Sequence, residues 1–234
     1  MSESEVSEAI GPLALLGGTF DPVHYAHLRC ADEARAKLGL ENLYLLPAGV
    51  PPHRDSPQAT NPQRLEMLQL ALAEFPQLQI DTRELDRDGL SYMVDTLQEL
   101  RTESPPRPLL LLIGQDVAND LDRWHRWQDL FELAHIVIMT RPGQRPVYRS
   151  ELEQNIDRRL QADVQSMLDS KAGGVLALQV EAIDICATTI KTMVGLGRSP
   201  RGMLPGPVLD YINEEGLYQP EGSQQSRGQS QVPE

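Results

Sequence analysis

Two histidines follow closely behind a pair of glycines near the start of the chain. His24 and His27 are three residues apart, so on a helix they project from the same face. Gly17 and Gly18 end a short apolar run, and because they lack Cβ atoms they let a ligand approach the backbone N–H groups. Imidazoles, accessible N–H groups and a helix N-terminus together favour an anion. The stretch therefore predicts a phosphate-binding site.

Asp21 and Pro22, between the glycines and the histidines, are typical of a helix start, with Asp21 as the cap and Pro22 in the first turn. The two histidines could also be a plain polar helix face or half of a zinc site. Zinc needs a third ligand at a recognisable spacing, and Cys30 has no CxxC companion. We therefore expect no metal held by the protein alone.

The elements that must position this stretch alternate between apolar runs and amphipathic segments. This alternation predicts βαβ units and a mainly parallel sheet with helices on both faces. We expect one Rossmann-like, doubly wound α/β domain over residues 10–218, with a C-terminal helical segment. It lies between a disordered acidic stretch, 1–9, and a disordered Gln/Ser-rich tail, 219–234.

The predicted strands cover residues 13–16, 42–47, 78–85, 109–113, 135–140 and 175–185. The predicted helices cover 21–38, 62–75 with Asn61 as cap, 91–100, 116–121, 128–133, 147–171, 188–196 and 205–215. In doubly wound sheets, ligands bind beyond the carboxyl ends of the strands, where the strand order reverses. Candidate segments 17–18, 51–54, 114–116, 141–142 and 186–189 each follow a predicted strand, so we expect them to converge.

The overall charge restricts the class of ligand. The chain has 234 residues, with 34 acidic and 21 basic side chains and a formal net charge of −13. Such a chain repels nucleic acid, whereas basic residues gathered beside the candidate segments suit a small polyphosphate. No apolar run approaches the ~20 residues of a membrane span, and no signal peptide opens the chain. Only two cysteines predict a cytoplasmic protein without disulfides, and nothing in the sequence bears on oligomeric state.

The string Gly-Gly-Thr-Phe-Asp-Pro-x-His-x-x-His, residues 17–27, resembles the signature of the nucleotidylyltransferase superfamily, and in this fuller form that of the nicotinate-nucleotide adenylyltransferases. Residues 185–191 resemble the family's second signature, Ile-Ser-x-Thr-x-Ile-Arg. With further motifs, the resemblance covers about residues 13–218. It implies adenylyl transfer from ATP, arriving with Mg²⁺, to nicotinate mononucleotide. The products would be deamido-NAD, an intermediate of NAD biosynthesis, and pyrophosphate.

The resemblance also implies roles for individual residues. It assigns His27 to the α-phosphate, His24 to the neighbouring phosphates, and Lys191 with the 188–190 backbone to the leaving pyrophosphate. The other implied ATP-binding residues are Gly17, Gly18, Thr19, Phe20, Gly114, Asp116, Cys186, Thr188, Thr189 and Ile190. The implied acceptor-binding residues are His53, Arg54, Ser91, Tyr92, Thr96, Trp124 and Arg141.

Two positions depart from the family pattern. Cys186 stands where the family has Ser, and Lys191 where it has Arg. A thiol caps a helix less well than a hydroxyl, and Lys binds phosphate as a point charge without the bidentate fork of Arg. At a helix N-terminus Cys186 should have a lowered pKa if solvent reaches it, whereas a buried Cys186 would be inert.

Several interpretations remain open at this stage. Tyr92 and Trp124 could be core side chains, and Asp116 could simply cap a helix. The acceptor could be nicotinamide mononucleotide or phosphopantetheine, and the chain could be a nucleotide-binding regulatory module without turnover. We expect the nicotinate form to be preferred, because the motifs imply backbone N–H groups and no side-chain acid in the acceptor pocket.

Overall fold

The computed structural model describes residues 11–51, 56–103 and 107–220. The predicted disordered stretch 1–9, residues 221–234 of the predicted tail, His53 and Arg54 lie outside the described residues. The strands are β1 Leu13–Gly18, β2 Leu43–Pro47, β3 Leu78–Ile80, β4 Leu109–Gly114, β5 His135–Thr140 and β6 Val175–Gln179. The helices are α1 Tyr25–Lys37, α2 Asn61–Leu72, α3 Arg83–Asp86, α4 Met93–Glu103, α5 Gln115–Ala118, α6 Trp127–Leu133, α7 Ser150–Asp157, α8 Val164–Leu168, α9 Ala187–Gly195 and α10 Gly206–Glu214.

The described strands form one six-stranded sheet in the order β3-β2-β1-β4-β5-β6. Every neighbouring pair is parallel. The order reverses between β1 and β4, which is where a doubly wound sheet leaves a crevice at its carboxyl edge. The predicted parallel, doubly wound α/β fold is confirmed, and β1 and β4 bring Gly18 and Gly114 to this edge.

The sheet is apolar on both faces because helices cover both of them. In β4, Leu109, Leu110, Leu111 and Leu112 are all 0% exposed. Alternate residues of the strands enter separate apolar clusters on the two sides of the sheet. The predicted inward face of α4, formed by Val94, Leu97 and Leu100, is buried as expected.

Two predicted helix starts are wrong, because side chains near them have other partners. α1 begins at Tyr25 with His24 as its N-cap residue. Asp21 does not cap it, since its carboxylate accepts hydrogen bonds from the backbone N–H groups of Gln58 and Ala59. α2 is capped by Thr60 rather than Asn61, through a reciprocal pair of hydrogen bonds with Gln63.

Two longer predicted elements are interrupted. The predicted strand 78–85 ends at Ile80, where the Asp81 carboxylate accepts from Arg83 N–H and the chain turns into α3. The predicted helix 147–171 is two short helices, α7 and α8. The chain between them pairs with the start of β6, since Val175 N–H donates to the Arg159 carbonyl and Gln161 N–H to the Val175 carbonyl.

The remaining predicted elements are observed, with adjusted ends. β5 has the predicted bounds, and α6, α9 and α10 each begin and end within one residue of prediction. The predicted helix 116–121 is the short α5 followed by a 3₁₀ turn at Leu121–Arg123, and the last strand ends at Gln179. Among the described residues, no helix is long and apolar enough to cross a membrane.

Candidate active site

Two adjoining clefts open at the carboxyl edge of the sheet, where the strand order reverses. They share Gly17, Gly18, Thr19 and Asp116 as a common wall. The small cleft has a volume of about 650 Å³ and extends toward α4 and the 3₁₀ turn. The large cleft has a volume of about 1040 Å³ and extends toward α1 and α9. Both volumes are of the size that holds a nucleotide-sized ligand.

The large cleft collects most of the predicted ATP-binding set. Its wall includes both predicted histidines, the glycine loop and the start of α9. The lining residues from that set are Gly17, Gly18, Thr19, Phe20, His24, His27, Gly114, Asp116, Cys186, Thr188 and Lys191.

The two histidines form a stacked pair at the start of α1. Their ring centroids are 3.7 Å apart with an interplanar angle of 17°, so they share a face as predicted. His24 is only 4% exposed, and burial lowers its pKa to about 4. His24 is therefore neutral near pH 7 and acts as a hydrogen-bonding group rather than as a cation. Its Nδ1 is buried without a hydrogen-bond partner among the described residues.

Phe20 fixes the second histidine from the side. Its ring meets that of His27 edge-on, with centroids 5.1 Å apart. Phe20 is 1% exposed and has a positive φ of 49°. A Cβ at Gly18 would lie 2.9 Å from the Phe20 ring, so any other residue there would force the ring to move. The second glycine of the loop thus serves the packing of an aromatic ring as well as ligand access.

Gly114, the last residue of β4, also makes room for a neighbouring side chain. A Cβ at Gly114 would lie 2.7 Å from the Asp116 Oδ1 atom. Because Gly114 lacks one, the carboxylate folds back over the strand end, where it borders both clefts.

The N-terminus of α9 opens into the large cleft, with Cys186 as the N-cap residue. Cys186 is exposed, so the buried alternative is wrong. Its Sγ lies 3.1 Å from the Thr189 Oγ1 atom. Hydrogen bonds from the side chain and backbone of Thr189 hold the pKa of the Cys186 thiol below its usual value. The predicted direction of the pKa shift is thus present, and the Thr189 hydroxyl is its first cause.

Ile190 does not have the predicted role. Its side chain is 0% exposed in the core. Its N–H donates to the Cys186 carbonyl at 3.2 Å, so it is not available to a phosphate. Thr188 lines the large cleft and Thr189 is exposed beside it, so the first turn of α9 remains the part that faces a ligand.

Lys191 reaches the wall of the large cleft while paired with a buried carboxylate. Its Nζ lies 2.6 Å from Asp21 Oδ2, and the Tyr218 hydroxyl donates to Asp21 Oδ1 at 2.7 Å. Arg64 is 0% exposed and donates to the Thr19 and Ala48 carbonyls, which fixes the loop after β1 from behind. Sequence reasoning missed these three supporting residues. Asp21 lies within the first signature and Tyr218 within the C-terminal match, but Arg64 has no sequence signal.

The small cleft collects the predicted aromatic residues of the acceptor set. Tyr92 and Trp124 both line it, so they are not plain core side chains. The Tyr92 and His125 rings are 4.5 Å apart, and Arg123 lines the same wall. Neither His125 nor Arg123 was identified from the sequence, although both lie beside Trp124.

Thr96 supports the small cleft from behind, whereas Ser91 lines the cleft and also holds a neighbouring loop. Thr96 is 0% exposed, and its hydroxyl donates to Glu84 Oε1 at 2.7 Å. It lines neither cleft, which is against a direct contact with the acceptor. The Ser91 Oγ atom accepts from the N–H groups of Gly49 and Val50, so its side chain holds the loop after β2.

Acidic side chains also line the small cleft, which the sequence did not indicate. Glu84 is 3% exposed, and its burial raises the pKa of its carboxyl despite the hydrogen bond from Thr96. Asp120 pairs with Arg123 at 3.3 Å. The expectation of a pocket without side-chain acids is therefore wrong.

Arg141 lies in the large cleft with the ATP set, away from Tyr92 and Trp124. His53 and Arg54 fall outside the described residues, so their predicted contacts stay predictions. Within the described ranges, no group of three His, Cys, Asp or Glu side chains could hold a metal ion.

Comparison with known proteins shows the family of this chain. The cytidylyltransferase-like family model matches residues 15–192. A probable nicotinate-nucleotide adenylyltransferase of Aeromonas hydrophila is 44% identical over 209 residues, covering 89% of this chain and 98% of that protein. A protein of the same description from Dechloromonas aromatica is 45% identical over 213 residues, covering 88% and 97%.

Solved structures share the fold at low sequence identity. The nicotinic acid mononucleotide adenylyltransferase of Plasmodium falciparum in complex with NaAD has a TM-score of 0.69 at 14% identity, covering 89% of this chain and 98% of that one. Given the family model, the close relatives along nearly their whole length and the shared fold, the chain belongs to the cytidylyltransferase-like family and, within it, to the nicotinate-nucleotide adenylyltransferases.

Proposed function

We propose that this enzyme transfers the adenylyl group of ATP to nicotinate mononucleotide, forming deamido-NAD and pyrophosphate in NAD biosynthesis. One observation carries the proposal: the carboxyl end of β1, with Gly17 and Gly18, separates two clefts, with the paired histidines and the start of α9 on one side. The aromatic side chains of Tyr92 and Trp124 line the other side. Two nucleotides bound in these clefts would meet at this strand end.

The reaction is an in-line displacement at the α-phosphorus of ATP. A 5′-phosphate oxygen of the acceptor forms the new bond to phosphorus, and the bond to the bridging oxygen of pyrophosphate breaks. The attacking phosphate is already an anion, so no general base is required. Positioning and charge stabilisation therefore supply the catalysis.

His27 is proposed to contact the α-phosphate in the transition state. Its ring borders the large cleft and is held between the His24 face and the Phe20 edge. A fixed donor of this kind stabilises charge without reorganisation during the reaction. His24, neutral because it is buried, would donate a hydrogen bond to a neighbouring phosphate oxygen.

The pyrophosphate part is proposed to lie against Lys191, Arg141 and the first turn of α9. Lys191 and Arg141 are cations of the large cleft wall, and the first turn of α9 presents backbone N–H groups and the positive end of the helix dipole. Mg²⁺ would arrive bound to the phosphates and neutralise part of their charge. Asp116, on the wall common to both clefts, is the carboxylate best placed near such an ion.

The pyridine ring of the acceptor is proposed to stack on Trp124 or Tyr92 in the small cleft. Arg123 and His125 add basic groups to a wall that also carries Glu84 and Asp120. A substrate carboxylate would be favoured by these basic groups and by backbone N–H groups.

With two free cysteines among the described residues, a cytoplasmic location remains our proposal.

Purified protein given ATP, Mg²⁺ and one acceptor at a time, with pyrophosphate release as the readout, tests the function. We expect turnover with nicotinate mononucleotide and a lower kcat/KM with nicotinamide mononucleotide, because only the first offers a carboxylate. Phosphopantetheine, which has no flat ring, should give none. Equal kcat/KM for the two pyridine nucleotides would refute the preference, and absence of turnover with every acceptor would favour a regulatory nucleotide-binding role.

A further inference from the structure

Asp21 lies on the wall of the large cleft, and its carboxylate is the meeting point of three separate segments. It is 5% exposed and accepts four hydrogen bonds. The donors are Gln58 N–H at 3.0 Å, Ala59 N–H at 3.2 Å, Lys191 Nζ at 2.6 Å and the Tyr218 hydroxyl at 2.7 Å. These contacts keep the pKa of Asp21 below its usual value although burial alone would raise it. The carboxylate is thus charged, and its orientation is fixed from several sides.

Tyr218 makes two contacts here, one with Asp21 and one with Lys191. Its hydroxyl holds Asp21 Oδ1, the oxygen that does not bind Lys191, and so limits rotation of the carboxylate. Its ring lies under the Lys191 ammonium, with Nζ 5.5 Å from the ring centroid. Tyr218 follows α10 and has a positive φ of 61°, a conformation that a tyrosine keeps only when its contacts fix it.

This arrangement restricts the position of the Lys191 ammonium group. A lysine stem has several rotatable bonds, so a free ammonium group has no preferred position. Here one of its three N–H groups is used by Asp21, and the side chain is 26% exposed on the wall of the large cleft. The remaining N–H groups are available to an anion in that cleft.

We infer that Asp21 and Tyr218 are positioning residues that hold the Lys191 ammonium where it meets the polyphosphate of ATP. The C-terminal segment after α10 thereby determines how firmly the second motif binds ATP, although Tyr218 does not line either cleft. This inference rests on the proposed function, since it takes ATP to be the ligand of the large cleft.

Tyr218→Phe is the discriminating variant, because it removes the hydroxyl and keeps the ring. We expect its Kd for ATP with Mg²⁺, measured by titration calorimetry, to rise about tenfold, as for a lost hydrogen bond to a charged group. The KM for nicotinate mononucleotide should change less than about twofold. Tyr211→Phe is the matched control, since the Tyr211 hydroxyl makes no hydrogen bond within the described part of the chain.

The same substitution in a Lys191→Ala background separates positioning from general stability. If Tyr218 acts through Lys191, adding Tyr218→Phe to Lys191→Ala should change the Kd for ATP less than about twofold. A full additional loss in that background, or an unchanged Kd for Tyr218→Phe alone, overturns the inference. Asp21→Asn should weaken ATP binding at least as much as Tyr218→Phe does. Thermal unfolding shows whether the Asp21→Asn variant folds.

ATP binding is measured without an acceptor, so the result does not depend on which acceptor the enzyme uses. If no acceptor supports pyrophosphate release but the ATP titrations behave as expected, the proposed function fails and the positioning role stands. If turnover is normal but Tyr218→Phe binds ATP as the parent does, only the positioning role fails.

Discussion

Individual side chains in the large cleft act through fixed positions rather than through unusual reactivity. The two imidazoles are stacked at 3.7 Å, a separation at which two positive charges would repel strongly. Burial resolves this conflict by keeping His24 neutral, and it leaves His27 partly exposed at the cleft. The pair therefore consists of a buried, neutral His24 and a more exposed His27, and both line the large cleft.

His27→Ala tests the ligand-facing role. Because the lost contact is one to developing charge, we expect kcat to fall by ~10²–10³, as for removal of one oxyanion donor. The KM for nicotinate mononucleotide should change little. Steady-state kinetics with both substrates varied checks this, and a variant with near-normal turnover would rule out the assignment.

Cys186 and Cys30 provide an internal comparison, since both line the large cleft. Hydrogen bonds from Thr189 lower the pKa of Cys186, whereas burial raises that of Cys30. The thiolate is the nucleophile, so we expect alkylating reagents to label Cys186 first. Mass-resolved labelling should show that ATP with Mg²⁺ slows the alkylation of Cys186, because the nucleotide covers the start of α9. Labelling of Cys186 that ATP leaves unchanged would contradict a phosphate site at this helix.

Among the larger elements, the loop after β1 is the part whose shape the site depends on most. It is held from the ligand side by Phe20 and His27 and from behind by Arg64. Gly18 is the point where the loop and the Phe20 ring approach too closely for a side chain.

Gly18→Ala is expected to damage both stability and turnover. The added methyl would lie 2.9 Å from the Phe20 ring, so the ring must move and His27 loses its edge contact. Overpacking of this kind costs about 1–3 kcal/mol of unfolding free energy. Gly206→Ala, where a Cβ meets nothing within 4 Å, is the matched control. Urea unfolding and kcat are the measurements, and a Gly18→Ala enzyme that behaves like the control would contradict the packing argument.

At the scale of the whole molecule, two buried histidines make the free energy of unfolding depend on pH. Burial lowers the pKa of His24 to about 4 from 6.5, and it also lowers that of His135. Each is neutral when folded and takes up a proton more easily when unfolded. The contribution of His24 to stability is therefore complete above pH 6.5 and is lost as the pH falls toward 4, and that of His135 is lost in the same direction.

Urea unfolding at pH 7.5 and pH 4.5 measures this loss. From the shift of His24 we expect its share to be roughly 2.5 kcal/mol in the ligand-free protein. His24→Asn keeps a good capping residue and removes the titration, so it should lose less stability between the two pH values. The exposed His125→Asn is the matched control. An identical pH dependence in His24→Asn and the parent would show that His24 is not buried as described.

Local sequence determined much of this protein. The long apolar run of β4, the alternation of strands and helices, and the string from Gly17 to His27 predicted the fold class and the carboxyl edge that holds the site. These signals are readable because apolar periodicity and glycine placement are properties of neighbouring residues. Most of the predicted ATP set, with Tyr92 and Trp124 of the acceptor set, does line the clefts.

Contacts between distant segments could not be found in this way. The sequence predicted Asp21 as a helix cap, yet its hydrogen-bond partners are Gln58, Ala59, Lys191 and Tyr218. Tyr218 lies 197 positions from Asp21 in the sequence. Arg64 reaches the loop after β1 across 45 positions, and Ile190 and Thr96 turn into the core, away from the clefts. A carboxylate or guanidinium takes whichever donors or acceptors folding brings within reach. That choice depends on the packed chain, because no local pattern specifies a partner so far away in sequence.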